Sequence, residues 1–351
     1  MNAPPHRRSH AMTYDPENKV AIVFGGFGNG SHLGDTWVLD TQSKSWKNMQ
    51  PMNSPSPRAA AMLVYDPASN QSILFGGFGL GHSVVSNETW SYRYSSNEWT
   101  QIQTDAAPSE RASYGMALDS KRQAIVLFGG FTEMGYFNDL WTYDIGQEEW
   151  RIEEVSGSVP AARGAMSFVY DVKNDNYVMF GGFSDQGFYS DTWLFDPDTH
   201  TWAELQPSTS PPPIRTRMVY DELRGIAVFF GGDVIPSEGH QGSPEPYDKS
   251  WAFDPSAQNW KEITTSGSPA PRALNGAAYD SDNGSILIFG GTDSLIDDSN
   301  FVGREYQDTW ELRVYEVAFN EASTALAVLA LVAGGGAIAI AMKFRRKSNR
   351  D

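Results

Sequence analysis

The 351-residue chain contains no cysteine. That excludes disulfide staples, thiolate metal sites and cysteine nucleophiles together, and leaves burial as the source of stability. Basic residues are scarce: 26 Lys and Arg stand against 43 Asp and Glu, a formal net charge of −17 with a pI near 4.7. A surface of that sign repels polyphosphate, so nucleic acid is not an expected partner. The dense basic run Lys343-Phe344-Arg345-Arg346-Lys347 stands at the very end. From Lys343 onward five bases meet one acid, a net of +4, and the body before it carries −21. Apolar residues make up 40% and aromatics 13%, with 33 Gly and 20 Pro. This composition suits many short strands joined by tight turns and argues against disorder.

The chain repeats itself. Gly-Gly follows an apolar run six times, with first glycines at Gly25, Gly76, Gly129, Gly181, Gly231 and Gly290. An aspartate stands ten residues before each: Asp15, Asp66, Asp119, Asp171, Asp221 and Asp280. Five tryptophan pairs are nine residues apart, Trp37/Trp46, Trp90/Trp99, Trp141/Trp150, Trp193/Trp202 and Trp251/Trp260. With Trp310 they account for all 11 tryptophans, so none lies outside the repeat frame.

Each unit reads as four strands: an Arg-led first strand, an Asp turn, a second strand apolar on both faces, a third at Asp-Thr-Trp or its variant, and a fourth at the second Trp. Such a period of roughly 50 residues is that of a propeller blade. At the Gly-Gly after an apolar strand and the two aromatics at fixed spacing, the chain resembles the kelch family. The resemblance covers about residues 7 to 313 and implies an all-β fold, a six-bladed kelch-type β-propeller. Its blades are expected at about 7–50, 58–103, 111–154, 163–206, 213–264 and 272–313. Residues that recur in every blade are expected to serve the blade rather than a ligand: Gly-Gly, Tyr-Asp, the tryptophans and the leading arginines Arg7, Arg58, Arg111, Arg163 and Arg272. Blade five departs, with Pro213 in that position and Arg215 displaced by two.

One stretch is long and uncharged: 21 residues, 322–342, between Glu321 and Lys343. At 1.5 Å per residue a helix of that length crosses a hydrocarbon core of about 30 Å. The expected order is therefore propeller, a short tether at 314–321, one C-terminal transmembrane α-helix at 322–342, and a basic tail at 343–351. Positive charge after the helix places the tail in the cytoplasm and the propeller outside the cell membrane. Ala330 and Gly334 form a small-xxx-small pattern that allows close helix pairing, a route to a homodimer.

From the second glycine to the Trp the spacing is 11, 13, 11, 11, 19 and 19 residues. Long loops on a rigid scaffold concentrate binding residues. Candidate binding residues are thus Asp233, Glu238, His240 and Tyr247 in blade five, and Asp293, Asp297, Asp298, Phe301, Arg304 and Tyr306 in blade six. Loop histidines His32, His82 and His240 show no pattern that fixes a metal site, and no catalytic residue, metal or cofactor is expected. The kelch resemblance brings galactose oxidase into view, but its radical site needs a Cys-linked Tyr. A kelch-type sugar mutarotase needs only carboxylates, Arg and His in the channel, and is the alternative function. The leading expectation is a membrane-anchored, extracytoplasmic module that binds a protein or glycan ligand through its loops.

Blade six shows no turn after Trp310 to start a fourth strand, and residues 1–6 read as a linker. The expectation is that the natural chain begins further upstream, with a signal peptide and a Trp-bearing closing strand. A chain leaving blade six after its third strand would hold the hairpin face toward the lipid and the long loops away from it.

Overall fold

A computed structural model describes residues 3–79, 85–235, 244–293, 295–297, 300–316 and 326–331. The main strands assemble into six four-stranded antiparallel meanders; four are separate sheets, and those of blades five and six are joined edge to edge in one eight-stranded sheet. Their innermost strands are Ala11–Asp15, Met62–Asp66, Gly115–Asp119, Ser167–Asp171, Met218–Asp221 and Gly276–Asp280. Each packs against the next, and the sixth packs against the first, so the sheets close a ring around an axis.

Local sequence accounts for each blade. The second strands, such as Ala124–Phe128 and Ile226–Phe230, are buried along their whole length, as a run apolar on both faces requires. The Asp at the end of each inner strand caps its own turn, as where Asp119 accepts the N–H groups of Lys121 and Arg122. The second Trp of a pair ties its blade to the preceding one. Trp99 packs on Phe24 with ring centroids 4.9 Å apart and donates its indole N–H to the hydroxyl of Thr36 at 2.9 Å. Trp150 on Phe75 and Thr89, and Trp260 on Phe180 and Thr192, repeat this geometry. Trp46 closes the ring on Phe289 and Thr309 of blade six. Trp202 keeps the packing on Phe128 but loses the hydrogen bond, because Leu140 stands where blades one, two, four and six place Thr.

The end of the chain departs from expectation. Leu326–Leu331 is a strand, not the start of a helix. It pairs antiparallel with Thr309–Glu316, Trp310 opposite Leu331, and parallel with the outer strand Asn259–Ser266 of blade five. The fourth position of blade six, expected from an upstream segment, is thereby filled. The physical reason is an open edge: Thr309–Glu316 presents unpaired N–H and C=O groups, and an apolar run beside it can satisfy them. The rest of 322–342 lies outside the described residues. No helix among the described residues is long and apolar enough to cross a membrane.

Candidate partner-docking face

The face bearing the Gly-Gly turns is built on a repeated ion pair. Arg163 is buried, and its guanidinium donates to the carbonyl of Gly181 at 3.0 Å, to that of Ala161 at 3.0 Å, and to both oxygens of Asp191. The Asp191 carboxylate also accepts the indole N–H of Trp193 at 2.8 Å, and Arg163 stacks 3.8 Å over Tyr189. The same arrangement joins Arg7 to Asp35, Arg58 to Glu88, Arg111 to Asp139 and Arg272 to Asp308. Burial alone would raise the pKa of Asp35 and Asp308, but the guanidinium against each outweighs it and holds the carboxyl below its ordinary value.

Blade five lacks both partners, with Pro213 in the arginine's sequence position and Lys249 in the acid's. The orphaned groups are satisfied otherwise. The Thr216 hydroxyl donates to Gly231 O at 3.0 Å, and Trp251 donates to the Tyr247 hydroxyl at 3.1 Å. Ile214, fully buried, accepts the Gly182 N–H as the arginine carbonyls do in other blades. Arg215 is therefore not a displaced anchor. It pairs with buried Asp233 and stacks on Phe183 and Phe188 at 4.8 and 5.0 Å.

Those rings belong to an aromatic arc. The residue after Gly-Gly is Phe27, Phe78, Phe131 or Phe183 in blades one to four, but Asp233 and Thr292 in blades five and six. Phe78 and Phe131 lie 5.4 Å apart, and Phe131, Tyr136 and Phe183 form a triangle with 5.5 Å edges. Phe188 continues from Phe183 at 6.0 Å. All five rings are half-buried, and Met134, in the Phe131–Tyr136 hairpin, is 90% exposed. Phe27 is covered by Arg8 at 4.4 Å and by His32 at 5.2 Å. The arc was legible as Gly-Gly-Phe, but repetition of the glycines masked the change of the third residue between blades.

The residues expected to bind ligand are placed as follows. Asp233 is held by Arg215, and burial pushes its carboxyl up, opposed by that guanidinium. Tyr247 receives Trp251, and Tyr306 lies 4.1 Å under Arg272, so both occupy the anchoring position of Tyr189. Asp293 accepts the Tyr306 hydroxyl at 2.9 Å and the Arg304 backbone N–H at 2.5 Å, which closes the base of the blade-six loop. Asp297 and Phe301 sit on a short hairpin, Asp297 opposite Asn300 and Phe301 opposite Ile296. Glu238, His240 and Asp298 lie outside the described residues, as does His82.

Two cavities lie on the axis. One, of about 70 Å³, is at the Gly-Gly face and includes Arg215, Arg217 and Asn275 in its wall. The other, of about 420 Å³, is at the hairpin face and draws on all six inner strands, with Tyr14, Tyr65, Tyr170, Tyr220 and Tyr279 around it. Neither brings two carboxylates together among the described residues; Glu222 in the second is the sole acid of the two linings.

A closed ring of six Gly-Gly blades pinned by Arg–carboxylate pairs defines a kelch-repeat β-propeller. The attractin/LZTR1 β-propeller family model matches residues 52–301 and the kelch motif matches residues 21–53; the chain belongs to this family. It is 28% identical over 312 residues to the dynein alpha chain of the flagellar outer arm of Chlamydomonas reinhardtii, covering 82% of this chain and 7% of that one. It is 30% identical to tip elongation aberrant protein 1 of Schizosaccharomyces pombe, over 54% of this chain and 17% of that one. It is 27% identical to adagio protein 3 of Arabidopsis thaliana, over 64% of this chain and 37% of that one. The chain thus spans only a minor part of the length of these relatives.

Proposed function

We propose that this chain is a protein-interaction module that docks a partner on its Gly-Gly face, over blades two to four. The observation that carries this is the aromatic arc from Phe78 to Phe188. Its rings are half-exposed, end against Arg215, and are replaced in blades five and six, so the propeller itself does not need them. Aromatics and arginine are the residues that anchor protein interfaces. A sugar mutarotase finds no support in axial cavities that bring no pair of carboxylates together among the described residues. The test is a photo-crosslinking amino acid at Tyr136 or, as a control on the opposite face, at Ser120. A discrete crosslinked partner is expected from Tyr136 alone, and Phe131→Ala with Phe183→Ala should abolish it. Equal labelling from both faces would refute the assignment.

A second reading rests on the 21 uncharged residues at 322–342 and the basic residues after them. We propose that this segment can leave blade six and anchor the propeller to a membrane, the propeller outside and the basic tail in the cytoplasm. It cannot serve as closing strand and spanning helix at once. Alkaline carbonate extraction of membranes from producing cells decides: retention in the pellet supports the anchor, and full release rejects it.

A further inference from the structure

Around the mouth of the axial channel runs a belt of hydrogen bonds between blades. Ser9, Ala60, Ser113, Ala165 and Leu274 each take a positive φ between 51° and 57°. Ser9 N–H donates to Leu274 O, Ala60 to Ser9, Ser113 to Ala60 and Ala165 to Ser113, at 2.6 to 2.9 Å. The belt breaks at blade five. Ile214 stands seven residues before Asp221, whereas Arg7 stands eight before Asp15, so blade five is one residue short here. Thr216 has no positive φ, its carbonyl accepts the Ser167 hydroxyl instead, and the Leu274 N–H has no hydrogen-bond partner among the described residues.

At that gap Arg217 enters the channel. Its guanidinium makes one hydrogen bond, to His10 O at 2.7 Å, and meets no carboxylate among the described residues. Arginine carries five N–H donors, so most of its capacity is uncommitted. Arg217 and Leu274 line the same cavity of about 70 Å³, together with Ser9, Ser113 and Asn275, and no Asp or Glu among the described residues lines it. Burial of the guanidinium, with only the nearby Tyr114 hydroxyl to oppose it, pushes its pKa down to about 10, so it stays charged at neutral pH. The Arg217 side chain is half-buried, so its free N–H groups stay accessible from the channel to an incoming anion.

We infer that the channel mouth at Arg217 is a receptor for a single carboxylate, presented by an acidic side chain or C-terminus of the polypeptide docked on the neighbouring aromatic arc. The inference rests on the docking proposed above and names the chemistry it selects. The size fits one small anionic group and not a sugar or nucleotide. The geometry suits a planar carboxylate, which a guanidinium grips through two parallel N–H bonds. The net charge of −17 does not forbid this, because exposed charges are screened over about 8 Å at physiological salt, while no acid among the described residues lines the cavity.

The site itself is tested on the full chain with ¹⁵N-labelled arginine, using sodium acetate as the probe. One Nε signal, assigned by its absence in Arg217→Lys, should shift saturably with a midpoint on the order of 1–10 mM. Sodium chloride at equal ionic strength should leave it in place. A shift that chloride reproduces, no saturable shift at all, or saturation by inorganic phosphate at lower concentration than acetate, overturns the carboxylate assignment. The source is tested by selecting peptides from a random library on the whole protein. Selected peptides should carry an Asp, Glu or free C-terminus, and its amidation should weaken binding roughly 10- to 100-fold. Arg217→Ala should cost the same, and the two losses should not add. Peptides that need Phe131 but are indifferent to Arg217→Ala would leave the docking face standing and sink the carboxylate site. Peptides indifferent to Phe131 would sink the docking face, while acetate binding at Arg217 is judged separately.

Discussion

The Arg–carboxylate pairs can be weighed by a double-mutant cycle in blade four. Asp191→Asn leaves the Arg163 guanidinium, 1% exposed, without its counter-charge. Breaking a buried pair costs about 3–5 kcal/mol, and because the Asp191 side chain is 20% exposed the lower end, about 3 kcal/mol, is expected. Arg163→Leu instead strands the carbonyls of Gly181 and Ala161, at about 1–3 kcal/mol for each that stays dry, and leaves Asp191 with Trp193 and solvent. A cost of about 3–4 kcal/mol follows. The double variant strands the same carbonyls but no charge, so it should cost about 4 kcal/mol rather than the sum of about 6–7. Blade five is the natural precedent: Pro213 and Lys249 replace both partners together, and the local groups find other bonds. Urea unfolding followed by tryptophan fluorescence and circular dichroism measures the cycle, with coincidence of the two probes as the check on cooperativity, since repeats can unfold separately. Additivity of the single costs within about 0.5 kcal/mol would refute the reasoning.

Stability should also fall on mild acidification through His10, which is buried with neither ring nitrogen hydrogen-bonded among the described residues and whose pKa burial, then Arg7 and Arg217, hold well below 6.5. The unfolded chain takes up a proton near pH 6.5 and the folded chain does not, so this contribution is lost as pH drops below that value, by up to about 1.4 kcal/mol per pH unit; His10→Leu should flatten the slope between pH 6.5 and 5, and an unchanged slope rejects the assignment. Gly182 holds a φ of +92°, and a Cβ there would lie 2.7 Å from Gly164 O, so Gly182→Ala should cost more than about 2 kcal/mol. Gly187→Ala, at φ +111° with nothing within 4 Å, should cost only about 1 kcal/mol, and equal losses of Tm would show that contact plays no part.

The repeat alone determined the all-β architecture and its frame, because each blade solves the same packing problem with the same residues. Gly-Gly, Asp turns and paired tryptophans recur at fixed spacing for that reason, and their structural role follows from recurrence itself. What recurrence hides is the exception. The aromatic arc needs the curvature of the ring to bring Phe78, Phe131 and Phe183 side by side from positions about 50 residues apart in the chain. The break at blade five looked like an arginine displaced by two, and only the tertiary hydrogen bonds showed a shortened segment that turns Arg217 into the channel. Long loops drew attention to blades five and six, yet Tyr247 and Tyr306 proved to occupy the anchoring position of Tyr189. The 21 uncharged residues near the end are mostly apolar whether helix or strand, and periodicity cannot choose between them. In this structure Leu326–Leu331 is a strand because the edge of Thr309–Glu316 offers its backbone groups partners, a fact of the assembled sheet that lies in no local stretch of sequence.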